Sequence, residues 1–116
     1  MTRAEAYRRG HKGEGLAAWY LRLKGYRILA RRYKSKVGEA DIIAQKGRAV
    51  IFVEVKARGT LGEGLEAITP KQKKRIINAA KYFMASRPNV ADLDFRFDVI
   101  VVSGLKIHHL ENAWGE

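Results

Sequence analysis

The stretch that most constrains this chain is Val50-Ile51-Phe52-Val53-Glu54-Val55-Lys56, a nearly continuous run of β-branched and aromatic residues broken by two opposite charges. Such runs belong to strands covered on both faces, so the chain must supply a layer on each side. Successive strand side chains point to opposite faces, which sets Glu54 and Lys56 on one face with Phe52, and Ile51, Val53 and Val55 on the other. Removing an isolated charge from water costs several kcal/mol even after relaxation. Glu54 and Lys56 therefore need partners, a metal or an open cleft.

The remaining periodicity supplies the covering layers. A helix is expected over residues 3–24, because Leu16, Tyr20 and Leu23 share one stripe and Ala17, Ala18 and Leu21 an adjacent one, with Gly25 ending it. Gly10, Gly13 and Gly15 weaken its first half, each by about 1 kcal/mol against alanine. Tyr26 to Tyr33 reads as a short strand, and Glu39 to Gln45 pairs with the apolar run as a hairpin turning around Lys46-Gly47. Residues 57–68, with Gly59, Gly62 and Gly64, read as a mobile loop. Thr69-Pro70-Lys71-Gln72 opens a second helix, with Thr69 as N-cap, Pro70 at the first position and Gln72 closing a capping box. Ile76, Ile77, Ala80, Phe83 and Met84 form its buried stripe, and Arg87-Pro88 stops it. Phe95 to Ser103 and, after Gly104, Lys106 to Leu110 are two further strands. The order αβββαββ predicts one α/β domain over residues 1–116, a central mixed β-sheet of about five strands with flanking helices.

The register of the hairpin decides which acids meet. A turn centred between Lys46 and Gly47 sets Asp41 opposite Phe52 and Glu39 opposite Glu54, leaving Asp41 diagonal to Glu54. Diagonal neighbours lie about 7 to 8 Å apart, near enough for two carboxylates to grip one divalent cation. A three-residue loop reverses the face. Glu14, on the helix stripe of Ala17, Ala18 and Leu21, extends an apolar face toward the sheet and can complete the cluster. Hard oxygen ligands suit Mg²⁺ or Mn²⁺, and a neighbouring lysine positions water or offsets charge on a transferring phosphate. Acids for metal and Lys56 for phosphate make a phosphodiesterase site. The ordinary alternative is a solvated Glu54–Lys56 ion pair worth about 0 to 1 kcal/mol. Glu39 reads equally as an outer-sphere ligand or a rim charge, and Asp98 as the partner of a basic neighbour.

A formal net charge of +11 and a pI near 10.2 call for a polyanionic partner, nucleic acid first. Lys71, Lys73, Lys74 and Arg75 crowd a helix start, where a bound phosphate reverses the unfavourable dipole interaction. Arg8, Arg9, Lys12, Arg31, Arg32, Lys34, Lys36 and Arg58 are further phosphate candidates. The solvated basic face is the plain alternative. No stretch approaches the roughly 20 apolar residues that span a bilayer, and no membrane partner is expected. The absence of cysteine excludes disulfides and thiolate chemistry, and the N-terminus carries no signal-peptide segment, so the cytoplasm is the default compartment. His11, His108 and His109 lack metal-binding spacing, and no phosphate-cradling or dinucleotide loop appears.

Gly38-Glu39-Ala40-Asp41, the twelve residues that follow, and Glu54-Val55-Lys56 resemble the PD-(D/E)xK nuclease motif, with archaeal Holliday-junction resolvases as functional analogues. Together with Gly13-Glu14, Phe52 to Arg58 and Arg96-Phe97-Asp98, the pattern is similar to the YraN family of small bacterial predicted endonucleases over nearly the whole chain. Alanine stands at position 40 where the nuclease motif has proline. The resemblance implies a restriction-endonuclease-like core with Asp41, Glu54 and the Val55 carbonyl as metal ligands, Lys56 catalytic and Glu14 assisting. It implies Mg²⁺-dependent hydrolysis of DNA, more readily than RNA, at branched or flapped structures. The alternative is a non-catalytic nucleic-acid-binding module on the same fold. Cutting two strands needs two sites, so a homodimer is compatible with this reading.

Overall fold

The computed structural model describes residues 3–115, with side chains from residue 13 onward; Arg8, Arg9, His11 and Lys12 therefore lie outside the described side chains. The elements run α1 (Arg3–Leu23), β1 (Arg27–Lys34), β2 (Glu39–Lys46), β3 (Ala49–Ala57), α2 (Leu61–Glu66), α3 (Pro70–Ser86), β4 (Asp94–Ser103) and β5 (Lys106–Trp114). The five strands form one sheet in the order β1-β2-β3-β4-β5, with β3 and β4 parallel and every other pair antiparallel. The architecture is α/β and compatible with a restriction-endonuclease-like core.

β3 lies at the centre and is covered twice. On one face Ile51 and Val53 pack with Ile42, Ala44, Ile100 and Val102 beneath Ala17, Ala18 and Leu21 of α1. On the other, Val50 and Phe52 pack with Ile43 and Phe97 beneath Ile76, Ala80 and Phe83 of α3. This is the division of faces expected from the alternation of the run. Of the two stripes on α1, only that of Ala17, Ala18 and Leu21 is buried; Leu16 and Leu23 are exposed.

Three expectations need correction. The region 57–68 is not a structureless loop, because Thr60 caps α2 by accepting from the Glu63 N–H. Gly64 of α2 is buried against Val101, where an added Cβ would come within 2.4 Å of that side chain, so this glycine serves close packing of helix on strand. The element order thus gains a helix. β5 continues to Trp114 past a shift in register between Phe97 and Val99, where Asn112 takes a positive φ of 51°.

The third correction concerns the hairpin. Lys46 pairs with Ala49, so the turn is Gly47-Arg48, with Gly47 at φ 58°. Glycine at the first position with positive φ matches a tight turn that follows the strand twist. The register moves by two residues from the expected one: Ile43, not Asp41, is opposite Phe52. A shift of two preserves the face of every side chain. Asp41 therefore moves from diagonal toward directly opposite Glu54.

α3 begins with the expected capping box: Thr69 Oγ1 accepts from the Gln72 N–H at 3.1 Å and the Gln72 side chain accepts from the Thr69 N–H at 3.0 Å. Its seat on the sheet depends on Gly38, where a Cβ would fall 1.8 Å from the Arg75 carbonyl oxygen. That glycine lets the β1–β2 turn touch the α3 backbone, which brings Glu39 and Asp41 under the helix.

Candidate functional site

The β2–β3 ladder ends at Ile42↔Val53, and the acidic residues begin one step beyond it. There the Asp41 carboxylate replaces a main-chain acceptor, taking the Val55 N–H at 2.8 Å. The N–H and C=O of one strand residue point to the same side, so the Val55 carbonyl opens toward β2 as well. Glu54 and Lys56 share the α3 face; Lys56 Nζ is 3.2 Å from Glu54 Oε1, and their side chains are only 14% and 12% exposed. A solvated surface pair is thereby excluded.

The two acids perturb each other. Burial lifts the Asp41 carboxyl above its ordinary range, opposed by the bond from Val55 N–H, while the negative Glu14 adds to the lift. Glu54 is pushed up to about 7, first by burial and then by the charge of Asp41, with Lys56 offsetting part of the rise. Desolvation and a like charge act together here.

Glu14 reaches this place because Gly13 lies against Val55 and Ala57, bringing α1 close to the end of β3. Its Oε2 is 3.4 Å from Arg32 Nε, whereas Oε1 is buried without a hydrogen-bond partner. Arg32 itself has a φ of 51° and falls between the pairs Arg31↔Ile42 and Tyr33↔Ala40, across from Asp41. A left-handed arginine in a strand costs on the order of 1 kcal/mol and turns its side chain out of the regular alternation.

Two cavities meet at Asp41. One, of about 300 Å³, is lined by Glu14, Arg32, Tyr33, Lys34, Glu39, Ala40 and Asp41. The other, of about 50 Å³, is lined by Glu39, Asp41, Glu54, Gln72, Arg75 and Ile76. Glu39 is half exposed at the rim, 4.0 Å from Arg75 Nε. Among the described residues, no three acidic or histidine side chains are gathered tightly enough to hold an ion by themselves. Mg²⁺ keeps several waters and binds through one or two carboxylates, so Asp41, Glu54 and the Val55 carbonyl would fit it by chemistry; Glu14 Oε1 beside them is a buried acceptor without a hydrogen-bond partner.

The basic residues at the start of α3 separate. Arg75 turns into the smaller cavity, Lys73 lies over the Trp114 ring at 5.7 Å, and Lys71 and Lys74 are exposed. Arg58 follows the end of β3, where its side chain donates to the Ala57 carbonyl and its main-chain N–H to Val102.

A sequence model described as "Uncharacterised protein family UPF0102" matches residues 13–102, which spans Glu14, Asp41, Glu54, Lys56 and Arg75. The chain belongs to the UPF0102 family. The YraN resemblance read from the motifs is thereby borne out. Among UPF0102 proteins, that of a Chelativorans species is 51% identical over 98% of this chain and 93% of its own length. The UPF0102 protein of Mesorhizobium japonicum is 48% identical over 97% and 91%, and that of Parvibaculum lavamentivorans 46% over 97% and 86%.

One feature of this UPF0102 chain lay beyond the sequence reading, and one expected pairing proves part of a larger network. Gln72 lines the smaller cavity beside Arg75, although its capping role alone had explained it. Asp98, expected to pair with a basic neighbour, is wholly buried and accepts from Arg96 Nε at 2.9 Å, from His109 Nε2 at 2.7 Å and from the Asn112 N–H at 3.0 Å. Burial alone would raise its pKa, but the bonds from His109 and Arg96 outweigh that and hold the carboxyl below its ordinary range. This network also engages Tyr26 and Lys24 and stays apart from the Asp41 cavities. No helix among the described residues is long and apolar enough to cross a membrane.

Proposed function

We propose that this protein is a metal-dependent endonuclease that hydrolyses DNA phosphodiester bonds, with branched or flapped DNA as its substrate class. The observation that carries the reading is the buried meeting of Asp41 and Glu54 beside Lys56, where a metal would relieve two acids whose pKa values are both raised.

Asp41, Glu54 and the Val55 carbonyl would hold Mg²⁺ or Mn²⁺, with Glu14 supporting from α1. The bound ion would polarise a phosphoryl oxygen and lower the pKa of its water. Lys56 Nζ stands on the same face as Glu54, and can donate to a phosphate oxygen or orient the attacking water. Arg32 and Arg75 flank the acids from β1 and α3 and can bind adjacent phosphates, while the exposed Lys71 and Lys74 extend the positive surface along the DNA. The net charge of +11 supports the same class of partner.

A second reading, a non-catalytic nucleic-acid-binding module, is favoured by the closed Glu54–Lys56 pair, which gives each of the two charges a partner without a metal. Substitution separates the two. Under the nuclease reading Asp41→Asn and Lys56→Ala each abolish cleavage while DNA affinity stays within a few-fold of wild type. Cleavage unchanged from wild type in both variants would contradict catalysis at this site.

A further inference from the structure

Beside the acidic site, α3 and the β1–β2 turn form a groove of about 450 Å³ lined by Val37, Asn78, Lys81 and Tyr82. Its two large side chains face solvent: Tyr82 is 52% exposed and Val37 45% exposed. The turn that carries Val37 is firmly built, since Ser35 N–H donates to the Gly38 carbonyl at 2.9 Å and the Ser35 hydroxyl accepts from the Gly38 N–H at 3.2 Å. Gly38 seats that turn directly on the α3 backbone at Arg75 and Ala79. Val37 and Tyr82 thus form an aliphatic wall and an aromatic wall held by rigid elements. The groove lies on the same helix as the site: Arg75 lines the acidic cavity, and Tyr82 stands seven residues, about 10 Å, further along α3.

We infer that this groove receives an unpaired DNA strand leaving the Asp41–Glu54 site, with one base stacked on Tyr82 against Val37. The inference rests on the nuclease reading and narrows its substrate to DNA with a single-stranded arm. Charge complementarity selects the occupant: Lys81 lines the groove, and Lys36 and Lys74 are exposed on the two elements that form it, in a chain of net charge +11. An exposed aromatic ring within a cationic track is the combination that binds single strands without sequence preference, since every base offers a π-face. A paired duplex hides those faces, so Tyr82 discriminates between the two forms.

The test is fluorescence anisotropy of labelled oligothymidylate and of a blunt duplex, both in EDTA, with wild type, Tyr82→Ala and Tyr82→Phe. The expected result is a loss of about tenfold in single-strand affinity for Tyr82→Ala, duplex affinity within about twofold of wild type, and near-complete retention in Tyr82→Phe. Tyr82 is exposed, so an unchanged melting temperature accompanies this loss. Wild type that binds both DNAs, with Tyr82→Ala either indistinguishable from it or equally weakened on both, overturns this inference and leaves the nuclease reading standing. Wild type that binds neither DNA overturns both.

Discussion

The Asp41 carboxylate takes the main-chain N–H of Val55 at 2.8 Å, just beyond Ile42 and Val53, the last paired residues of β2 and β3. A side chain thereby substitutes for a strand, and the sheet opens where the acids meet. Asn at position 41 keeps an acceptor for Val55 but removes the like charge beside Glu54. We expect Asp41→Asn to melt at or above the wild-type temperature in EDTA, and to lose the rise in melting temperature that Mn²⁺ gives wild type. A variant stabilised by Mn²⁺ as strongly as wild type would remove Asp41 from the ligand set.

The Glu54 carboxyl, with an ordinary value of 4.5, is pushed up to about 7 in the fold. Between these values the folded state binds more protons than the unfolded chain, so metal-free stability falls as pH rises through this window. Asp98 is shifted the other way: its contribution is complete above its ordinary value of 3.8 and is lost only as pH falls below that, so it stays constant here. In EDTA the urea midpoint should be higher near pH 5 than near pH 8, and Glu54→Gln should flatten that slope. Mn²⁺ affinity should change in the opposite sense, rising with pH as the ligand loses its proton. Equal pH slopes in wild type and Glu54→Gln would contradict the burial of this acid.

Asp98 is wholly buried and joins Arg96, His109 and the Asn112 main chain. Removing this carboxylate leaves His109 Nε2 and the Asn112 N–H without their acceptor and Arg96 with only Tyr26 and Glu111, at a cost of about 3 to 5 kcal/mol. Asp98→Ala should show that loss in equilibrium urea unfolding. A loss under about 1 kcal/mol would mean the network relaxes onto water.

Gly38→Ala would set a methyl group 1.8 Å from the Arg75 carbonyl oxygen. The β1–β2 turn or α3 must then move, at a cost of about 1 to 3 kcal/mol. Because Arg75 and Gln72 line the cavity at Asp41, the same change should weaken DNA binding along with stability. Wild-type behaviour in both would show that the contact of turn and helix is not needed.

Much of this was legible in the sequence because short periodicities carry it. The alternation in Val50 to Lys56 gave both layers of the core, and the Thr69 to Gln72 capping box fixed the start of α3. The hairpin turn is displaced by one residue because Lys46-Gly47 and Gly47-Arg48 both centre a tight turn on one glycine; the register moves by an even number, so the paired residues keep their faces. α2 escaped because Gly62 and Gly64 resemble loop residues, and only contact with Val101 explains the second of them. The far end of β5 escaped because Asn112 interrupts the alternation with a left-handed residue. The Asp98–His109 bond joins residues on neighbouring strands, which sequence spacing does not reveal. At the site, Asp41, Glu54, Lys56 and Glu14 were legible as chemistry, whereas the left-handed Arg32 and the cavity face of Gln72 depend on tertiary placement.

The most direct measurement is cleavage of labelled duplex, single-stranded, flap and four-way-junction DNA in Mg²⁺, Mn²⁺ or EDTA, by wild type and by Lys56→Ala. Wild type is expected to cut in a metal-dependent manner, most strongly on substrates with a branch or flap, and Lys56→Ala not to cut at all. Binding of these DNAs by wild type without cutting under any metal condition would contradict the nuclease reading.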